Sequence, residues 1–251
     1  MSDKQNEIRD FVAEGFQQGW KHLDASLLSS DKTLETDVVI IGSGAGGGSA
    51  AEILAEAGLH VIIVEEGPLQ TSKDFHMKED EAYPKLYQES GGRQTKDRGI
   101  KIFQGRMVGG GTGINWTTSF RTPATTLKYW AEEMGLKGFS ENEMRPWFEW
   151  AEKRYKIQKW TVPPNANNSA LEKGCGKLGI SWGKISRNVT GCLNLGYCGT
   201  GCPVNAKQST LVTTIPGALK AGAMLISKVR AEALVLKKGV ITELKCRAMT
   251  S

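Results

Sequence analysis

Asp37-Val-Val-Ile-Ile-Gly42-Ser-Gly44-Ala-Gly-Gly47-Gly-Ser49 is the stretch that decides the fold. Val38 to Ile41 is a β-branched apolar run of the kind that forms a parallel strand buried on both faces. It enters a turn in which Gly42, Ser43 and Gly44 are followed by Gly47, the three glycines filling the positions of a dinucleotide fingerprint. Gly42 permits the tight turn, Gly44 lets a pyrophosphate approach the backbone, and Gly47 lets the following helix lie close to the strand. That helix is expected over 46–57, with its N–H groups and positive dipole end aimed at the phosphates. His60 to Val64 reads as the next strand and ends at Glu65, where a carboxylate hydrogen-bonds a ribose hydroxyl and repels a 2′-phosphate. Glu66 is the neighbour that can exchange roles with it. The order of strand, glycines, helix, strand and acid points to FAD or NAD rather than NADP.

A second glycine segment, Gly105-Arg-Met-Val-Gly-Gly-Gly-Thr-Gly-Ile-Asn115, follows the short apolar stretch 100–103. Three consecutive glycines weaken any helix or strand, so they point to a flat ligand pressed against the backbone. With this motif the chain resembles the glucose–methanol–choline (GMC) oxidoreductases, flavoenzymes that oxidise alcohols. Gly105, Arg106, Gly109, Gly110 and Asn115 match the family's first signature. Gly191-Cys-Leu-Asn-Leu-Gly-Tyr-Cys-Gly-Thr-Gly-Cys-Pro-Val-Asn-Ala-Lys-Gln-Ser209 is similar to its bacterial branch near the long-chain alcohol oxidases.

The resemblance runs from about residue 35 onward. It implies an α/β fold in which a Rossmann-like parallel sheet binds FAD, with an inserted lobe over roughly 120–205. Residues 1–34 form an N-terminal helix and linker ahead of a flavin domain at 35–251, incomplete in a chain that reads as truncated. It further implies that Gly109, Gly110, Thr112 and Asn115 lie along the flavin, that Arg106 belongs to the cofactor-binding set, and that Val229 meets the adenine through its backbone. Some family members bond the flavin covalently to a histidine just before the asparagine. Ile114 holds that position here, so the cofactor is expected to be non-covalent.

Cys192, Cys198 and Cys202 sit on the glycine-rich motif. Their first reading is a compact structural loop; an iron–sulfur cluster held by the three thiolates is the second and zinc the third. Cys175 and Cys246 read as inert packing residues on a helix and a strand. Five cysteines without an export pattern favour a reducing compartment, and the cytoplasm is the expected location.

The 251 residues carry 32 Lys and Arg against 27 Asp and Glu, a net charge of +5. The cations are scattered without interleaved aromatics, the pattern of a solvated basic surface rather than a nucleic-acid site. Mean hydropathy is −0.32, and no stretch has the length of a membrane span. Three N-x-Ser/Thr sequons, at Asn115, Asn167 and Asn188, read as coincidental.

Ile8, Phe11, Val12, Phe16, Trp20 and Leu23 recur at helical spacing and predict an amphipathic helix within the first 30 residues. Residues 70–98 are polar, a surface excursion and candidate lid edge. Helices are expected at 125–135, at 141–157 behind a Ser140/Glu143 capping box, at 169–178 and, broken at Pro216, at 208–221. Trp147, Trp150 and Tyr155 are expected to pack in a core or between domains rather than to cage a substrate. Three strands, 224–229, 233–236 and 240–246, close the chain.

In the family a histidine takes the alcohol's hydroxyl proton while the carbinol hydride passes to flavin N5. That histidine and its partner lie in the C-terminal half. His22, expected on the helix, His60 and His76 belong to no matching motif, so no catalytic residue is assigned. The sequence thus reads as the N-terminal half of an FAD-dependent alcohol dehydrogenase or oxidase, completed by a C-terminal half or an electron-acceptor subunit. The alternative is a non-catalytic FAD- or ADP-binding module or a subunit of a split enzyme. An NAD-dependent reductase and a cluster-bearing electron-transfer subunit are weaker readings.

Overall fold

The N-terminal segment departs from the single long helix at once. The structure, a computed structural model, describes residues 8–249. Within them α1 covers only Phe11–Gln17, capped by the Asp10 carboxylate, which accepts the Ala13 N–H at 3.1 Å. Gly19 turns the chain with φ at 105°. Lys21–Asp24 then forms strand β1, so His22 and Leu23 lie on a strand and not on a helix. The helical spacing ends because parallel pairing with a distant strand, four residues deep, satisfies the backbone of Lys21–Asp24 instead.

Strand β2 (Val38–Ile41), helix α2 (Ala45–Glu56) and strand β3 (Val61–Val64) form a βαβ unit with β2 and β3 in parallel register, Val38 opposite Val61 and Ile41 opposite Val64. The polar excursion that follows is anchored. Helix α3 (Glu79–Leu86) buries Ala82 and Leu86, and Phe75 and Tyr87 join the same core. The i, i+4 pairs Ala82/Leu86 and Tyr83/Tyr87 are an apolar stripe hidden in charged composition. The second glycine segment forms the short helix α4 (Gly111–Ile114).

A separate unit then spans residues 117–189. It contains β4 (Thr118–Ser119), α5 (Ala124–Glu132), α6 (Glu141–Arg154), β5 (Ile157–Lys159), α7 (Ala166–Leu178) and β6 (Ser186–Asn188), with an antiparallel sheet in the order β4-β6-β5. The Ser140/Glu143 capping box starts α6. Arg121 holds Glu152 at 2.7 and 2.8 Å, and Arg187 stacks 4.3 Å from the Trp160 ring centre. Trp147, expected in a core, is 63% exposed. Trp150 meets Tyr155 edge-on. Helix α6 fully buries none of its residues; Met144, Phe148 and Ala151, at i, i+4 and i+7, form a half-buried stripe along it.

The chain re-enters the first unit at residue 190. Helix α8 (Thr214–Lys220) carries Pro216 in its first turn, where the missing N–H costs nothing. Strand β7 (Met224–Ser227) completes an all-parallel sheet in the order β1-β7-β3-β2. Strands β8 (Val229–Lys237) and β9 (Val240–Ala248) pair as an antiparallel hairpin, so the expected strands at 224–229 and 233–236 divide instead at Lys228. Lys228 sits in the left-handed region at φ 53°, which is what turns the chain out of the sheet.

Helices α2 and α8 cover one face of the sheet, where Ala51, Ala55, Val61, Ile63, Ile215, Ala218, Leu219 and Leu225 form the main core. The helices approach closely because Gly217 leaves room for Glu52: a Cβ there would lie 1.7 Å from the carboxylate. Ala25, Ile62, Val64, Ile226 and Val229 cluster on the other face. Each buried Ile, Leu or Val contributes about 1.5–3 kcal/mol. Strand β2, expected to be buried on both faces, is an edge strand in the described residues. Val39 and Ile41 are 39% and 57% exposed: in register with Ile62 and Val64, they point to the face opposite α2 and α8, at the margin of the sheet.

His22 ties β1 to β7 through a 2.9 Å contact between Nε2 and the Ser227 hydroxyl. Burial lowers its pKa below the ordinary 6.5, against an opposing pull from Asp24. The folded state therefore binds fewer protons than the unfolded one, so this contribution is complete above pH 6.5 and lost as the pH falls below it. Denaturant midpoints measured between pH 7.5 and 5.5 are expected to fall in the parent chain and to fall less in His22→Asn.

Candidate flavin site

The first glycine turn is built on Ser43, which is fully buried. Its N–H and hydroxyl both donate to Glu65 Oε2, at 3.0 and 2.5 Å, and its hydroxyl oxygen accepts the Gly109 N–H at 2.9 Å. Its carbonyl accepts the Thr210 hydroxyl at 2.9 Å. One side chain thus joins the two glycine segments, the end of β3 and the residues ahead of α8.

Gly42 turns at φ 88°. Gly47 seats α2 against that turn, since a Cβ there would stand 1.9 Å from the Gly42 carbonyl. Gly44 is the N-cap of α2 and has no side chain with which to cap it, leaving the first-turn N–H groups open to an anion. Gly110, at φ 51°, packs on Gly44: a Cβ would fall 2.9 Å from the Gly44 Cα. Space beside Gly42 and Gly46 is open. This cradle fits a dinucleotide, with a bare helix start for the pyrophosphate and backbone without side chains on both sides.

The two adjacent glutamates have different surroundings. Glu65 is buried, and its Oε1 accepts the Gly67 N–H at 2.9 Å in addition to the two bonds from Ser43. A carboxylate offers about four lone-pair sites, so capacity for a further hydroxyl donor remains. Glu66 lies between Arg230, at 2.8 Å, and Arg106, at 3.1 Å. The Arg230 guanidinium, aided by Arg106, holds Glu66 below the usual carboxylate range. Arg106 thereby pairs with an acid one residue from Glu65.

Thr112 donates its hydroxyl to the Gly109 carbonyl at 2.6 Å and accepts the Thr210 N–H at 3.0 Å. Asn115 ends α4 as its C-cap. The Val229 N–H donates to the Glu65 carbonyl at 3.0 Å and is thereby engaged within the chain. Ile114 is buried and offers no nucleophile.

The cysteine motif belongs with the first unit, not with the lobe at 120–205, because the second unit ends at Val189. Tyr87 Oη donates to the Gly199 carbonyl at 2.7 Å, and burial pushes that hydroxyl's pKa up to about 12, so it stays a donor. The Cys192 sulfur accepts from Asn194 N–H and the Cys202 sulfur from Lys207 N–H. Among the described residues no group of three His, Cys, Asp or Glu is placed to hold a metal ion, so geometry gives the iron–sulfur and zinc readings of Cys192, Cys198 and Cys202 no support. Two residues that organise the site, Thr210 and Lys207, were not singled out from sequence. Both lie in the Lys-Gln-Ser-Thr run that closes the cysteine motif.

Gly110→Ala tests the cradle. Added Cβ and left-handed strain at one point force the two turns apart, at a cost of about 1–3 kcal/mol. Dinucleotide affinity in a fluorescence titration is expected to fall by about tenfold or more.

Comparison with known proteins agrees with this geometry. The GMC oxidoreductase family model matches residues 83–251, and an FAD-binding domain model matches residues 37–76. A long-chain-alcohol oxidase of Arabidopsis thaliana is 35% identical over 203 residues, covering 81% of this chain and 27% of that protein. A GMC-type oxidoreductase of Sinorhizobium fredii is 33% identical over 215 residues, covering 84% of this chain and 42% of that protein. The crystal structure of pyridoxine 4-oxidase from Mesorbium loti shares the fold with a TM-score of 0.62 at 16% identity, over 85% of this chain and 46% of that one. The chain thus spans less than half the length of these relatives. Its family model covers the second glycine segment, the cysteine motif and β7 to β9, its FAD-binding model covers the fingerprint and Glu65, and the chain belongs to the GMC oxidoreductase family of FAD-binding proteins.

Proposed function

We propose that this chain is the FAD-binding part of an oxidoreductase acting on the CH–OH group of an alcohol, with the proton acceptor supplied from outside the described residues. The observation that carries the proposal is the packing of Gly44 against Gly110 over the bare start of α2, with Glu65 poised at the same turn. FAD, when bound, would supply the two-electron acceptor for the alcohol's hydride. The chain's own residues bind and orient. The α2 N-terminus and Gly42–Gly44 hold the pyrophosphate, and Glu65 takes a ribose hydroxyl. Val229 borders the adenine, and Gly109, Gly110, Thr112 and Asn115 lie along the ring system.

The three histidines are engaged elsewhere. His22 contacts Ser227, His60 contacts Asp37 at 3.1 Å, and His76 contacts Glu81 at 2.8 Å. None lies in either glycine segment, which supports a base from another part of the enzyme. The open outer edge of β2 supports the same view, since its four β-branched apolar residues suit an interior parallel strand. Long-chain alcohols are the proposed substrate class, following the name borne by the Arabidopsis relatives. No helix among the described residues is long and apolar enough to cross a membrane. Five free cysteines fit a reducing compartment, and the cytoplasm is the proposed location.

The test is the visible spectrum of the purified chain after loading with FAD and removal of excess, before and after anaerobic addition of an alcohol series. A retained flavin band that does not bleach is expected, with bleaching restored when the missing portion is supplied in trans. Bleaching by the chain alone would place the base within it. Failure to bleach even with the remainder present would leave a non-catalytic FAD module. Because Ile114 offers no nucleophile, acid precipitation is expected to leave all the flavin in the supernatant.

A further inference from the structure

Lys207 is the one lysine among the buried polar and charged residues described, at 3% exposure. Its ammonium donates to three backbone carbonyls: Gly113 at 2.8 Å, Asn115 at 2.8 Å and Cys198 at 2.5 Å. Three donors on three acceptors use the full capacity of an ammonium group. Gly113 and Asn115 flank Ile114 at the C-terminal end of α4, where helix carbonyls have no acceptor-side partner of their own and a cation is favoured by the dipole. Cys198 opens the short helical turn Cys198–Thr200 of the cysteine motif. The Lys207 N–H also donates to the Cys202 sulfur at 3.5 Å.

A buried charge is retained only where its bonds offset desolvation, and here three of them go to backbone carbonyls of two loops. Lys207 therefore fixes backbone. One loop it fixes is the segment Gly109–Asn115 that borders the flavin, and the other is the cysteine motif.

We propose that Lys207 is a positioning residue for the flavin: its ammonium clamps the Gly113–Asn115 backbone to the cysteine motif and places a buried positive charge beneath the flavin-facing segment. The clamp gives the cysteine motif a role, because Cys198 supplies one of the three carbonyls that hold the ammonium. The charge has a consequence beyond structure. Reduced flavin carries more negative charge than oxidised flavin, so a nearby fixed cation favours the reduced form. The inference depends on FAD binding and not on which alcohol is oxidised.

The experiment compares the parent chain with Lys207→Met and Lys207→Arg, each loaded with FAD, by fluorescence titration and by the midpoint potential of the bound flavin against reference dyes. Lys207→Met is expected to bind FAD about tenfold more weakly or worse, with a lower potential. Lys207→Arg, which keeps the charge, is expected to hold the potential nearer that of the parent while losing affinity through its different geometry. A purely structural lysine would change affinity and thermal stability and leave the potential in place, which overturns the electrostatic half. Unchanged affinity and potential in Lys207→Met overturn the whole. Should Lys207→Met fail to fold, acetic anhydride labelling of the parent chain decides. Lys207 is expected to stay unmodified while surface lysines react, and labelling at the surface rate would overturn the clamp.

Discussion

Ser43 is the residue on which the larger unit depends, because every polar atom it has is spent joining a different part of the chain. Its N–H and hydroxyl reach Glu65, its hydroxyl oxygen receives Gly109, and its carbonyl receives Thr210. These contacts span 22, 66 and 167 residues of sequence. Closing such loops costs chain entropy, and that cost is met only if all the bonds form together. The contact of Gly44 with Gly110 is the steric partner of this network: two turns without side chains are drawn to van der Waals distance and share one face toward a ligand.

The sequence was legible where structure is local. The fingerprint glycines, the helix after them, the Ser140 cap and the helix around Ala166–Leu178 depend on neighbours a few residues away. Strand β1 was illegible because it exists only by pairing Leu23 with Ile226, two hundred residues distant. Core anchoring by α3 was masked by Glu79, Asp80, Glu81 and Lys85, whose charges dominate composition while Ala82 and Leu86 turn inward. Of the candidate site, the glycines and Glu65 could be named from spacing. Lys207 could not, since a lysine is mostly exposed unless paired and its partners are carbonyls from residues 113, 115 and 198.

Glu65 and Glu66 show how one peptide bond separates two chemistries. Successive side chains at the end of a strand point to opposite sides. Glu65 turns into the glycine cradle, where only N–H and O–H donors meet it and no cation fixes it. Glu66 turns to Arg106 and Arg230, and those ion pairs link β8 back to the end of β3. The first carboxylate keeps acceptor capacity for a ligand hydroxyl, while the second is committed to holding the hairpin beside it. An exchange of roles between them would leave a carboxylate without cations on one side and two arginines facing no acid on the other.

The edge of β2 carries the last step of the argument. An edge strand is normally defended by charge, proline or a bulge, since its unpaired backbone recruits other strands. Val38–Ile41 has none of these and presents Val39 and Ile41 to the outside. Its composition is that of an interior parallel strand, flanked on both sides. At the opposite edge the sheet ends in Lys21-His-Leu-Asp24, with a charge at each end and a histidine between. The contrast between the two edges is written in the residues themselves: β1 has the composition of a strand that ends a sheet, and β2 that of one that continues it. A sheet continued beyond β2 would extend alongside the glycine turn that leaves that strand, at the edge of the cradle formed by Gly44 and Gly110.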